Sequence, residues 1–500
     1  MFTDIMTRIA KNTSILLFQQ VITWASTFLL MLFLPRYLGP VEFGRLYLAQ
    51  SVRDIFLLFV TFGGNYLVAK SVSREKEKTG QILSDIVAMR LAFAVISIIA
   101  MVAFTALAEY PDEVRIMVLV FGLGMLWAGA LTTLFGCFMG HELIKYTSVG
   151  SIVERVFVSI VAVAAILLGA GGITISIIIV VGTLLNFIIL VRYSKIIIPA
   201  VPAPQWAGIK QQAKNGVPYF MFTVFSTIYY RIDTLMLEKY SPEAVVGWYG
   251  GAFRLFDVWN FFPAILTTTV YPVLSRLWSE GEAQHKRTMH KSLEIMLMVG
   301  IPLSFGAIFF AQNIIGLFYG LKAYAPSVVV LQILSAGLIF LYIDMSLGTT
   351  LLSSDKQKHM SLISLGAIPL KIGMNYFFIP YFQASSANGG IGSALTTMLT
   401  EVCVMTAMLT QLPRGMLSGF RLSVPLKVVF SAGGMIGLLW LGQMAGIPWI
   451  ALVVIGPFVF FPLLYAMRTF EPAEQDLIRS MFSREGIAKI GRVLRPGHVK

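Results

Sequence analysis

The stretch "LYLAQSVRDIFLLFV", residues 46–60, decides the fold. It has the apolar run of a membrane helix, yet Arg53 and Asp54 sit near its middle. A charge at bilayer depth costs at least ~2.5–3.5 kcal/mol. A segment of this kind therefore belongs either to a soluble core or to a membrane helix facing a wet cavity or a charged partner. The rest of the chain chooses between the two. Of 500 residues, 57% are hydrophobic and only 13% charged, and the mean hydropathy is +0.79. A soluble protein carries about 25% charged residues. Apolar runs of about 20 residues recur along the chain, long enough to cross a ~30 Å hydrocarbon core as helices. Runs such as "ISIIIVVGTLLNFIILV" (175–191) do not alternate, so a transmembrane barrel is excluded.

Fourteen segments read as spans: 13–34, 45–68, 82–108, 114–138, 148–169, 173–192, 214–237, 246–274, 289–310, 325–352, 359–380, 389–411, 423–444 and 448–467. The first begins near Asn12, is too long for a signal peptide and lacks a small-residue cleavage site, so it reads as a retained span. Connectors are short. With a cytoplasmic N-terminus, about 27 of the 38 lysines and arginines fall in inner loops and the tail. Five lie outside and six within spans. That bias places both termini in the cytoplasm. The net charge of +13 is then a topology signal and needs no nucleic-acid partner. The tail over 471–500 is basic and weakly amphipathic, suited to an anionic lipid surface.

A shift of 203 residues superposes Lys11-Asn12 on Lys214-Asn215, Tyr37 on Tyr240, Gly44 on Gly247, Ala49 on Ala252 and Asp54 on Asp257. Residues 11–54 contain nine identities in 44 ungapped positions. The repeat unit is six helices. Because six is even, the copies run parallel, related by an axis along the membrane normal. The expected architecture is an all-α polytopic membrane protein. It has an N-lobe over 1–200 (spans 1–6), a C-lobe over 201–415 (spans 7–12), an appended pair over 416–470 (spans 13–14) and the tail. Two related lobes around a cleft suit alternating access.

Intramembrane charges mark the candidate site. They are Arg53, Asp54, Arg90, Glu154, Arg155, Arg231, Asp233, Arg254, Asp257, Asp344, Lys371 and Glu401. In "GGAFRLFDVWNFFPAI" (250–265), Arg254 and Asp257 are three apart and share a helix face. Arg53 and Arg254, one per lobe, suit an anionic group held across the cleft. Arginine stays charged, and its planar fork donates two hydrogen bonds to a phosphate. Arg90 and Lys371 are expected to assist. Gln50, Tyr249 and Trp259 are expected along the path of the ligand. Asp54, Asp257, Asp344 and Glu401 read as counter-charges or ion-coupling groups. Glu154 and Arg155 read as a structural or gating pair. Prolines 218, 263, 272, 302 and 369 interrupt spans and permit bending.

No P-loop, CxxC pair or HExxH occurs, and the five histidines lie in inner loops, at inner span ends or in the tail. Nothing calls for a cofactor or a metal. Cys137 and Cys403 lie in spans without framework spacing. The outer loops are too short to carry an extramembrane catalytic site, so an enzyme is not expected.

Several stretches resemble one family. "RYLGPVEFGRLYLA" (36–49) resembles the first outer loop and second helix of the Wzx-type polysaccharide flippases. These belong to the MOP superfamily, with the MATE drug exporters and the lipid II flippases. "GVPYF" (216–220), "RIDTLML" (231–237), "EAVVGWYGGAFRL" (243–255) and "YPVLSR" (271–276) resemble the start of the family's second lobe. "NYFFIPYFQASSANGGIGSALTTMLTE" (375–401) resembles its eleventh and twelfth helices. The resemblance covers roughly residues 10–410. It implies a V-shaped transporter of two six-helix lobes in the bacterial cytoplasmic membrane, working as a rocker switch. It implies flipping of an undecaprenyl-pyrophosphate-linked oligosaccharide, with a polysaccharide polymerase or export machinery as a possible partner. Arg53 and Arg254 look like two of the cavity arginines of lipid II flippases. The first helix, "NTSILLFQQVITWASTFLLMLF" (12–33), has no arginine where those flippases carry them, which favours another polyprenyl-linked glycan. The competing reading is an ion-coupled exporter of small cations, as in MATE proteins, with Asp54, Asp257 or Glu401 as the working groups.

Overall fold

The computed structural model describes residues 2–198, 201–470 and 475, with the side chains of 2–17, 218, 222 and 226 left aside. All but Gln475 of the basic tail expected over 471–500 lies outside that range. Among the described residues the chain is helical throughout. In order the helices are α1 (Phe2–Val60), α2 (Gly64–Arg74), α3 (Thr79–Leu107), α4 (Asp112–Gly140), α5 (Ile144–Leu167), α6 (Gly172–Ser194), α7 (Trp206–Tyr240), α8 (Glu243–Val258) and α9 (Phe261–Glu280). Then come α10 (Glu282–Phe309), α11 (Ala311–Phe318), α12 (Leu321–Tyr324), α13 (Ser327–Ser353), α14 (Gln357–Ser386), α15 (Gly389–Gln411), α16 (Ser423–Met444) and α17 (Trp449–Ala466). Eleven stretches are long and apolar enough to cross a membrane, the first of them running over Phe18–Arg74. The protein is a multi-pass membrane protein.

Most expected spans coincide with a helix to within a few residues. Two do not. Helix α1 contains a kink at Gly39 (φ 75°, ψ 170°), followed by Pro40, which has no N–H to donate. Beyond the kink it stops at Val60, short of the expected 68, and the chain restarts as α2. The two glycines at the break, Gly63 and Gly64, have φ of 77° and 65°, a region costly for other residues. The expected span 246–274 is likewise divided, into α8 and α9, by a turn at Trp259-Asn260. Both interruptions follow the aspartates that the 203-residue shift superposes, Asp54 and Asp257.

The chain forms two compact units. Unit 1 comprises residues 1–262, 311–337 and 355–411, so it takes helices from both expected lobes. Within it α1 packs along α5 and α8, α3 along α4, and α14 along α15. The α1–α8 crossing is close. A side chain on Gly44 would strike the carbonyl of Glu243 and the amide of Gly247, and one on Gly247 would strike the carbonyl of Pro40. Glycine at both positions lets the two backbones touch, and these glycines are partners in the repeat register. Unit 2 comprises residues 263–310, 338–354 and 412–500. In it α16 packs on α17 and on α10. Cys137 is buried, Cys403 is exposed, and both are free thiols.

Candidate functional site

Unit 1 holds a cavity of about 560 Å³ between α1, α7 and α8. Its wall is mixed: Tyr47, Gln50, Asp54 and Thr61 from α1 and the break after it, Thr227, Tyr230 and Arg231 from α7, and Phe253, Arg254 and Asp257 from α8, with Leu57 and Leu58. The α1 side follows from three- and four-residue steps. Tyr47, Gln50, Asp54, Leu57, Leu58 and Thr61 form one helix face, and Arg53 lies about 90° round from its centre.

Arg254 donates from an Nη to Gln50 Oε1 at 2.8 Å. Its guanidinium lies 4.8 Å from the Phe43 ring centroid and 5.8 Å from that of Tyr47. Aromatic faces attract the cation without neutralising it. Arg231 donates to Asp54 Oδ2 at 2.7 Å. The other oxygen of the same carboxylate, Oδ1, accepts from Arg53 Nε at 3.1 Å and from Arg53 Nη at 2.7 Å. Asp54 is thus shared by two arginines. Arg53 itself is not in the cavity wall; its guanidinium rests 4.9 Å above the Phe121 ring of α4. Asp257 lines the cavity and accepts from Asn260 Nδ2 at 3.0 Å.

The expected site is therefore rearranged. Arg254, Asp54, Asp257 and Gln50 come together. Arg53 reaches the site only through Asp54. Arg231 takes the wall position expected of Arg53. The available signal was that Arg231 heads "RIDTLML" two residues before Asp233; on a helix, positions i and i+2 are about 200° apart, so one of them faces the cavity when the other faces away.

Asp233 faces a second, sealed cluster. It is 0% and Lys371 1% exposed, and the two are paired at 2.8 Å. The Asp233 carboxylate also accepts from Asn375 Nδ2 (2.7 Å), the Tyr249 hydroxyl (3.0 Å) and Thr397 Oγ1 (3.1 Å). Lys371 donates to the Tyr229 carbonyl at 2.9 Å and lies 4.2 Å from the Tyr229 ring centroid. The Tyr229 hydroxyl donates to Glu401 Oε1 at 2.6 Å. Lys371, Tyr249 and Glu401 thus tie α7, α8, α14 and α15 together, and none of them lines the cavity. Lys371 and Tyr249, expected to contact the ligand, lie off the cavity wall and use their bonding capacity within the protein.

Arg90 is likewise buried and off the cavity wall. It is 0% exposed. Its Nη atoms donate to the carbonyls of Thr61, Phe62, Gly64 and Gly129 and to Thr133 Oγ1. The break after α1 leaves carbonyls without helical partners, and Arg90 fills that need at the negative end of a helix dipole. It staples the break. Trp259 stands at the α8–α9 turn and is not in the cavity wall. Asp344 is buried on α13 in unit 2. Glu154 accepts from Asn186 Nδ2 at 2.7 Å, which ties α5 to α6.

Comparison with known proteins follows from this geometry. Residues 9–278 match the family described as "Polysaccharide biosynthesis protein". Residues 218–377 also match the MatE family. The chain is 22% identical over 389 residues to a putative O-antigen transporter of Escherichia coli K12, covering 75% of this chain and 90% of that protein. It is 19% identical to the capsular polysaccharide biosynthesis protein CapF of Staphylococcus aureus, covering 78% and 96%. Among solved structures it is similar to the lipid II flippase MurJ in an inward closed conformation. That likeness has a TM-score of 0.73 at 16% identity and covers 94% of this chain and all of that one, so it is a likeness of fold.

Proposed function

We propose that this chain, which belongs to the family of polysaccharide biosynthesis proteins, is a flippase that carries a lipid-linked glycan across the membrane. The substrate is a polyprenyl pyrophosphate bearing an oligosaccharide repeat unit, delivered from the inner to the outer leaflet of the bacterial cytoplasmic membrane. The observation that carries the reading is the pair of guanidiniums, Arg231 and Arg254, in the wall of one membrane-embedded cavity. Each can offer a two-pronged fork to a phosphate, and the low dielectric around them strengthens the attraction. Gln50, Thr227 and Tyr230 supply neutral hydrogen-bonding groups for the adjoining sugar. The prenyl chain stays in lipid.

Transport follows by alternating access. The 1–200 and 201–415 halves are the rocking bodies, and spans 13 and 14 are an accessory pair. Both termini lie on the cytoplasmic side, as the lysine and arginine bias supports. The Gly44–Gly247 crossing, on the outer side in that orientation, must part for the cavity to open outward. A glycan polymerase or export complex would receive the flipped unit.

The MatE match and the aspartates in the wall support a second reading, export of small cations. Charge weighs against it. The wall with its partner Arg53 carries three guanidiniums, Arg53, Arg231 and Arg254, against two carboxylates, Asp54 and Asp257. The deciding experiment deletes the gene and measures which leaflet holds the polyprenyl-pyrophosphate-linked oligosaccharide. Accumulation on the cytoplasmic face, reversed by the wild-type gene but not by Arg254→Ala, is expected. Unchanged lipid-linked glycan with altered tolerance to cationic drugs would replace this reading by the second.

A further inference from the structure

The arginines of the cavity are not equivalent. Arg254 is held by a neutral amide and two aromatic faces. Arg231 is held by a carboxylate, Asp54, at 2.7 Å. A carboxylate bound by two arginines through separate oxygens occupies them much as a phosphate would. We infer that Asp54 is a placeholder for the substrate's phosphate: it holds Arg231 until the pyrophosphate enters, releases it to the pyrophosphate, and reclaims it when the substrate leaves. This rests on the reading of the cavity as the phosphate site.

Three features support the exchange. Asp54 and Arg231 both line the cavity, so an entering anion can reach the pair. Their side chains are 19% and 28% exposed, unlike the sealed Lys371–Asp233 pair at 1% and 0%. And Asp54 keeps a second cation when Arg231 leaves. Arg53 bonds it through Oδ1, and Arg53 is itself seated on Phe121. Stranding a buried charge is what makes breaking an ion pair costly. Here the released carboxylate is never stranded, so the exchange stays reversible. A pyrophosphate brings more charge than one carboxylate and can reach Arg231 and Arg254 together. Asp54 is thus a positioning residue that acts through Arg231: it weakens binding and makes release possible.

The test uses the purified full-length protein in lipid nanodiscs with farnesyl pyrophosphate as the probe. Asp54→Asn is expected to tighten binding about ten-fold, because a competing charge is removed. In an Arg231→Gln background the same change should give no gain, since additivity fails only for groups that interact. A merely structural role for Asp54 cannot tighten binding. Affinity unchanged or weakened in Asp54→Asn, or a gain that persists with Arg231→Gln, overturns the placeholder. Arg254→Gln separates this from the parent reading. If it weakens binding while Asp54→Asn does nothing, the phosphate site stands and the placeholder falls. If Arg254→Gln leaves affinity unchanged, the phosphate site falls and the placeholder with it.

Discussion

Two charged clusters share helix α7 and are built on residues only two apart. Arg231 faces an open cavity; Asp233, about 200° round the helix, faces a sealed one. The Asp233 carboxylate is bonded by Lys371, Asn375, Tyr249 and Thr397, and the Lys371–Asp233 pair is shut off from solvent. Around Arg231 and Arg254 the partners are fewer and the groups are partly exposed, and the two guanidiniums, with Arg53 behind Asp54, outnumber the two carboxylates. The difference teaches how to sort charges inside a membrane. A charge whose bonds are completed by the protein is part of the scaffold. A charge left with bonding capacity toward a cavity is available to a ligand.

The comparison is open to direct attack. The largest effect is expected in the sealed cluster. Lys371→Met strands Asp233 and should destabilise unit 1 by about 3–5 kcal/mol. Thermal unfolding in detergent would show it, and adding Asp233→Asn should recover much of the loss. A stable, well-folded Lys371→Met that no longer flips would instead make Lys371 a substrate residue and break the distinction. In the cavity, Arg254→Ala should leave folding intact and lower flipping about a hundred-fold, in line with ~2–3 kcal/mol for a charged hydrogen-bonding group. Arg231→Ala should act in the same direction.

Arg90→Gln keeps some donors for the break after α1 but loses the charge. It should cost about 2 kcal/mol of stability, read as increased thiol reactivity of a cysteine placed at Phe62, with probe affinity for the cavity little changed. The smallest effect is expected at Arg53. Arg53→Ala leaves Asp54 with Arg231 alone, so flipping should fall by less than about ten-fold. Loss as complete as in Arg254→Ala would return Arg53 to the cavity wall.

How far the site was legible varies by residue. Arg254 and Asp257 were readable because their three-residue spacing puts them on one face of a continuous helix. Asp54 was readable as its partner in the repeat. Arg53 lies off the wall, toward α4 and Phe121, because the face formed by Tyr47, Gln50, Asp54, Leu57, Leu58 and Thr61 is centred about 90° round the helix from it. Arg231 was readable as an intramembrane charge but not as a wall residue, because its meeting with Asp54, 177 residues earlier, depends on how α7 packs on α1, which no local pattern states. Arg90 and Lys371 stand in the sequence as lone cations in apolar runs. Their partners lie at Gly129 and Asp233, 39 and 138 residues away, beyond the reach of spacing arguments.

The sequence by itself determined the membrane and the helices. Those follow from composition, run length and charge bias, which act through solvation and need no fold. Only the tertiary structure decided which cations are scaffold and which are available. That depends on whether a charge meets a completed set of protein partners or an open wall, and helix packing alone sets it.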